Sequence, residues 1–389
     1  MADILKPSEV KRRRQNPVSI GFEEEATDTI KQELIQTSGK VKIELESMGR
    51  FGNPAVVYFS DYCGKDIHDI ILSPQEDLLQ NLLIVLNKNK TANIDFDCLE
   101  LTGEDLLEIL IAIQIQFDTP FITHYWVCEC QNDVEENDRI THEIQLNLNE
   151  ITYKSIEDND KELKEFFKSL FDRMTDEQFK NYLYRKYKNN PLDDIESWTK
   201  EKELNTIKIK EPFTILHGND SYQIRYPRIK DILNAKKYVY KKYNPKIKSV
   251  QNRKEAGVPL HELKVKKEEE IQKLKLEMGK LIILYAKSQI LLSKNGIEYT
   301  DEQKLTEYSE GFERGLLAKF DSLLEQIKFG VQHEIELVCP LCGQSERRSL
   351  QHFLDPRELL PYGDGRKPKI ISTTRESDEL AGLNFYFGA

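Results

Sequence analysis

His333-Glu334-Ile335-Glu336-Leu337-Val338-Cys339-Pro340-Leu341-Cys342-Gly343 decides how the rest of this chain is read. Ile335 and Leu337 alternate with glutamates, which is the period of a half-buried strand. The strand runs into a Cys-Pro-Leu-Cys-Gly turn with the form of a zinc knuckle. Two thiolates separated by two residues converge on one tetrahedral metal, and a glycine after the second permits the tight backbone turn. One knuckle supplies two ligands where a structural zinc takes four, so the reading requires a partner pair elsewhere.

That partner is sought upstream. His124-Tyr125-Trp126-Val127-Cys128-Glu129-Cys130 reads as a strand, the polar stretch Gln131 to Arg139 as a connection, and Ile144, Leu146 and Leu148 as a returning strand. His142-Glu143-Ile144-Gln145-Leu146 also echoes His333-Glu334-Ile335-Glu336-Leu337, which fits two related hairpins, each beside a cysteine pair. Cys128, Cys130, Cys339 and Cys342 are therefore the candidate metal ligands, with His124, His142, His333 and His352 as further donors. Cys-x-Cys is a poorer half-site than Cys-x-x-Cys. The expectation is thus a degenerate zinc-ribbon-like scaffold that folds on its hydrophobic strands without metal, with structural zinc as the alternative cofactor and none certain. The six cysteines are too few and too unevenly spaced for a disulfide framework, and Cys63 and Cys98 read as small buried apolar groups.

Working outward, the fold class is α+β: small β-hairpins with capped helices and an inserted long helical hairpin. Residues 1–35 form a charged arm carrying Lys11-Arg12-Arg13-Arg14 and Glu23-Glu24-Glu25. An N-terminal α+β domain covers 36–157. It opens with the alternating Val41, Ile43 and Leu45 and a turn at Ser47 to Pro54, followed by the apolar run Ala55 to Phe59. Two helices follow, capped by Ser73-Pro74-Gln75-Glu76 and Thr102-Gly103-Glu104-Asp105. The second is apolar nearly all round, so it is the central helix of the domain. A helical segment covers 158–205, with one cap at Thr175-Asp176-Glu177-Gln178. Residues 206–261 combine strands with a basic helix. The periodic Ile271 to Tyr285 and Leu305 to Ile327, broken at Asn295-Gly296, make 262–329 the helical hairpin. The knuckle hairpin occupies 330–361, and an extended tail 362–389 ends in the aromatic strip Asn384-Phe385-Tyr386-Phe387.

A net charge of −11 over 389 residues argues against broad nucleic-acid wrapping, which needs a basic face. Lys236-Lys237-Tyr238-Val239-Tyr240-Lys241-Lys242-Tyr243 interleaves basic and aromatic residues. The reading preferred for it is a solvated helix face with its aromatics turned inward. No apolar run approaches the roughly 18 residues of a membrane span, and the N-terminus lacks a signal-peptide core.

In order along the chain stand Leu45-Glu46-Ser47-Met48-Gly49-Arg50-Phe51, strands and capped helices, and Leu101-Thr102-Gly103-Glu104-Asp105-Leu106. An aromatic strand into a cysteine pair and a late Cys-Pro-Leu-Cys-Gly complete the series. This order resembles the baseplate hub proteins of T4-like phages. Members of that family have a leucine-proline-serine-x-glycine turn and a Leu-Thr-x-x-Asp helix start before a cysteine-bearing hairpin. Here Glu46 stands at the proline, and Cys-x-Cys replaces the wider spacing. The likeness spans roughly residues 40–150 and 215–360, with 158–205 and 262–329 as elaborations. It implies a structural or assembly protein of the hub of a contractile-tailed bacteriophage, made in the host cytoplasm and carried in the virion baseplate. Other baseplate or tail hub proteins are its implied partners, and it implies no catalytic residues. A transient assembly chaperone absent from the virion is the neighbouring alternative. A zinc-dependent nucleic-acid binder is the alternative from another class. No enzyme is expected: Gly-x-Ser-x-Gly, a phosphate-cradling glycine loop and His-Glu-x-x-His are all missing from the sequence.

Overall fold

The computed structural model describes residues 40–71, 77–91, 96–131, 140–187, 195–253, 260–332 and 334–349. The N-terminal arm, the Ser73–Glu76 cap, His333, His352 and the C-terminal tail with its aromatic strip lie outside them. The architecture is α+β, with small antiparallel sheets set among helices.

Strands β1 (Lys40–Glu44) and β2 (Val56–Ser60) pair antiparallel. Their connection carries left-handed backbone at Met48, Gly49 and Gly52. Gly49 is needed twice over, for its φ of +72° and because a Cβ there would lie 3.0 Å from the Asn53 carbonyl. The turn delivers Phe51, fully buried, between Tyr226 and Phe329, with ring centroids at 4.8 and 5.1 Å. Arg50 beside it ties Asp160 at 2.8 Å and the Ile209 carbonyl at 3.0 Å, so one turn joins three regions of the chain.

Helix α1 (Gly64–Ile71) has no counterpart in the sequence reading. It explains why Cys63 is exposed rather than buried. The residue opens that helix, with its backbone N–H and Sγ both directed at Asp66. Cys98 is fully buried, as expected of a small apolar group.

Helix α2 (Leu78–Asn89) turns Leu78, Leu79, Leu82, Leu83 and Leu86 into the core. Helix α3 (Gly103–Phe117) is buried on every side from Gly103 to Gln114, and Thr102 Oγ accepts the Asp105 N–H at 3.1 Å to cap it. It is the central helix. Around it gather β1, β2, α2 and the hairpin of β3 (Phe121–Trp126) with β4 (His142–Asn147), in register from Phe121 opposite Asn147 to Trp126 opposite His142.

A short strand β5 (Tyr153–Lys154) leads into α4 (Ile156–Arg173), α5 (Asp176–Lys186) and α6 (Lys200–Thr206). Phe171, Phe179, Leu183 and Ile207 form a separate small core there. Ser155 and Thr175 build full capping boxes. The fully buried Glu203 carboxylate accepts from Tyr182, Lys186, Tyr187 and Trp198.

Strands β6 (Phe213–His217) and β7 (Asp220–Ile224) precede α7 (Ile229–Asn252), the basic helix, which packs along its length on α8 (Leu260–Ser288). The helical hairpin is therefore α7 with α8, not residues 262–329. After Ser288 the chain forms β8 (Leu291–Lys294) and β9 (Ile297–Glu298), which extend the first pair into a sheet of order β6-β7-β8-β9. Asn295-Gly296, both at positive φ, is the tight turn of that strand pair. The short α9 (Asp301–Thr306) and then α10 (Arg314–Gln326) follow. Leu316 and Phe320 of α10 pack on the sheet with Tyr222 and Ile224. Sequence periodicity gave the buried faces of these helices correctly, but a stripe does not name its partner.

The chain closes with β10 (Gly330–Val331) on β5, and with β11 (Glu334–Val338) paired to β12 (Ser345–Ser349). Ile335, Leu337 and Cys339 enter the same core as α3. No helix among the described residues is long and apolar enough to cross a membrane.

Candidate metal centre

Each cysteine pair sits just past the first strand of its hairpin. Cys128 follows β3, and Cys130 lies in the one-turn helix Glu129–Gln131. Cys339 and Cys342 follow β11. There the Gly343 N–H donates to the Cys339 carbonyl at 2.8 Å and the Cys339 N–H to the Gln344 carbonyl at 2.9 Å, which closes the knuckle. Gly343 holds φ +72° with open space around it, so glycine is required there by backbone conformation alone. The echo between the hairpins is thus one of architecture. Within the described residues, His142–Leu146 lies in the second strand of one hairpin and Glu334–Leu337 in the first strand of the other.

The two hairpins meet. The sulfurs of Cys128, Cys130, Cys339 and Cys342 all lie within 4.8 Å of one another, the one such group of potential metal donors among the described residues. Cys128 Sγ is 3.7 Å from Cys342 Sγ, and Cys130 Sγ is 3.9 Å from Cys339 Sγ. Each short edge therefore crosses from one hairpin to the other. A tetrahedron with metal–sulfur bonds of about 2.3 Å has sulfur–sulfur edges of roughly 3.8 Å. Disulfide sulfurs stand at about 2.05 Å, far closer than any pair here. The spacing fits four ligands around one ion. Cys128 and Cys339 are buried and Cys130 and Cys342 exposed, so the group has an inner and an outer edge.

The electrostatics point the same way. Burial opposes ionisation of Cys339, yet the backbone N–H groups of Cys342 and Leu341 and the thiols of Cys128 and Cys342 hold it down to about 6. Cys130 is pushed up to about 12, first by its hydrogen bond with Cys128 and then by desolvation and the other two thiols. Desolvation also raises Cys128. Of these three thiols, the surroundings favour the ionised form at Cys339 alone. Cysteine binds a metal as the thiolate.

Of the histidines named as further donors, His142 comes close: its Nε2 lies 3.7 Å from Cys339 Sγ, and its ring rests against Trp126 at 5.0 Å. The side chain of His124 lies outside the described residues. With four cysteines already present, a bound ion has no vacant position for substrate, so the arrangement suits a structural rather than a catalytic metal.

The interior also holds acids, of which the sequence reading takes Glu104 and Asp105 only as helix-start signals and does not single out Glu108. Glu104, Asp105 and Glu108 on the first turns of α3 are all buried. Tyr226 donates to Glu104 at 2.8 Å, Asn53 to Asp105 at 2.7 Å, and the Glu46 N–H to Glu108 at 3.0 Å. Desolvation pushes the Glu104 carboxyl up to about 7. These groups pin the β1–β2 turn and the segment just after β7 to the central helix. The sequence signal for their burial was the apolar character of α3 on all its faces.

The chain matches no family model, no curated protein and no solved structure.

Proposed function

We propose that this chain is a non-enzymatic structural or assembly protein of the baseplate hub of a contractile-tailed bacteriophage, with its fold closed by a structural zinc ion on Cys128, Cys130, Cys339 and Cys342. The observation that carries the metal is the convergence of four sulfurs from hairpins more than 200 residues apart, at edges of 3.7 and 3.9 Å. A tetrahedral site of four thiolates suits zinc or an iron–sulfur iron, and zinc is the ion that fits a purely structural role. When bound, it supplies a cross-link and no reaction.

The hub assignment is supported by the order of motifs: the Leu-x-Ser-x-Gly turn at Leu45 to Gly49, the Thr102-capped helix, the cysteine hairpin and the late knuckle. All four belong to one core around α3, to which 262–329 also contributes Met278, Ile282 and Ala286, whereas 158–205 builds a separate small core. A protein of this kind works through surfaces. It is made in the host cytoplasm and acts on other hub or tail subunits.

Quantifying the chain in purified virions of the phage that encodes it tests the assignment. A fixed stoichiometry supports a hub subunit. Presence in baseplate assembly intermediates alone supports the chaperone form. Absence from both contradicts the reading.

A further inference from the structure

Helix α7 is the most basic element of an acidic protein. Its 24 residues hold seven lysines and one aspartate, a formal +6 on a chain whose total is −11. Its inner face is apolar: Ile232, Ala235, Val239 and Tyr243 are buried in the main core, and Val250 further along is buried too. The opposite face carries Lys230, Asn234, Lys237, Lys241, Asn244 and Lys248, at steps of four, three, four, three and four. That is a straight polar line along the helix, about 27 Å long at 1.5 Å per residue. Lys230 is tied to Glu100 at 2.6 Å. Lys237, Lys241 and Lys248 are exposed, and among the described residues none is ion-paired. A helix needs no such line to fold. Unshielded like charges on one face cost stability, and among the described residues no carboxylate is paired with these three.

We propose that this face of α7 is a docking surface for an acidic helix of a partner protein. Charge complementarity identifies the partner's chemistry. The heptad-like spacing of the lysines fits a second helix laid alongside, with carboxylates at matching steps. Three observations favour an acidic protein over nucleic acid. The aromatic rings a single strand would stack on are engaged within the hairpin: Tyr243 is buried, Tyr240 half-buried, and Tyr238 stacks on Tyr285 at 4.6 Å. The helix has no arginine, the residue suited to bidentate phosphate contact. The acidic remainder of the chain repels a long polyanion, which extends beyond the footprint of one helix.

Fluorescence anisotropy of the full-length chain tests this, with labelled poly-L-glutamate as one probe and single- and double-stranded DNA oligonucleotides of equal charge as others. The stripe variant is K237E/K241E/K248E. The control K264E/K266E/K273E makes the same charge change at exposed positions of α8. All six positions lie outside the core, and circular dichroism checks that both variants fold. The expected result is salt-sensitive binding of poly-L-glutamate, weakened about tenfold or more by the stripe variant and less than twofold by the control. Equal loss in both variants, absence of binding at low salt, or tighter binding of either DNA probe at physiological salt would overturn the proposal. So would concentration-dependent self-association abolished by the stripe variant, because the occupant would then be a second copy of this chain.

Discussion

Cys339 is the innermost of the four thiols, fully buried, with the amides of its own knuckle turned toward its sulfur. Replacing it with serine removes a ligand and leaves a hydroxyl in an apolar core. Cys339→Ser is therefore expected to abolish metal retention and to cost on the order of 3 kcal/mol of stability. Cys63→Ser, at an exposed thiol, changes neither; chemical denaturation with parallel metal analysis separates the two variants. Glu104 gives a second residue-scale expectation. Its carboxyl is raised from 4.5 to about 7 in the fold, so the folded state holds its proton more tightly than the unfolded chain. The stability this lends is complete below pH 4.5 and is lost as pH rises through about 7. Glu104→Gln cannot ionise, so it should gain on the wild type by on the order of 3 kcal/mol between pH 4.5 and 7.5 in urea unfolding. A parallel pH dependence for the two proteins would refute the assignment. The cysteine pairs were legible because their spacing is itself the chemistry. The burial of Glu104 was legible only through the apolar surround of α3; its neighbour Gly330, where a Cβ would lie 2.9 Å from the Glu104 Cβ, comes from 226 positions further along the chain.

At the scale of elements, local rules read well and partners read poorly. The Thr102 and Thr175 caps stand where Ser/Thr-x-x-Glu/Asp/Gln patterns predict them, because a cap is settled within four residues. Thr102→Ala should cost about 1 kcal/mol, since it strips the Asp105 N–H of its acceptor in a site closed to water; an unchanged denaturation midpoint would count against that role. The pairing of α7 with α8 was missed for a different reason. Both helices show a stripe, but so does α10, and periodicity cannot choose among three stripes. The Asn295-Gly296 step was read as a break between helices. Flanked by Leu291 and Ser293 on one side and Ile297 on the other, it carried the signature of a two-residue strand turn. Only the presence of β6 and β7 to receive those short strands makes the turn worth forming.

For the molecule as a whole, the two hairpins bring together positions 209 and 214 residues apart. A cross-link over such a span restricts the unfolded chain by an amount on the order of 5 kcal/mol. The same core also holds Ile335 and Leu337 by apolar burial. The hairpins should therefore stay docked without metal but come apart at lower denaturant. Thiolate ligands bind metal in competition with protons, so acidification should release the ion and lower stability together. A strong chelator at neutral pH should do the same, and readdition of zinc should reverse it. Metal content of the full-length chain, purified under reducing conditions and passed through gel filtration, decides whether the two hairpins share an ion. One equivalent of zinc is expected, lost in Cys128→Ser, Cys339→Ser and Cys342→Ser alike. A folded protein free of stoichiometric zinc, whose thermal stability is unmoved by chelator and by all three substitutions, would contradict a shared ion.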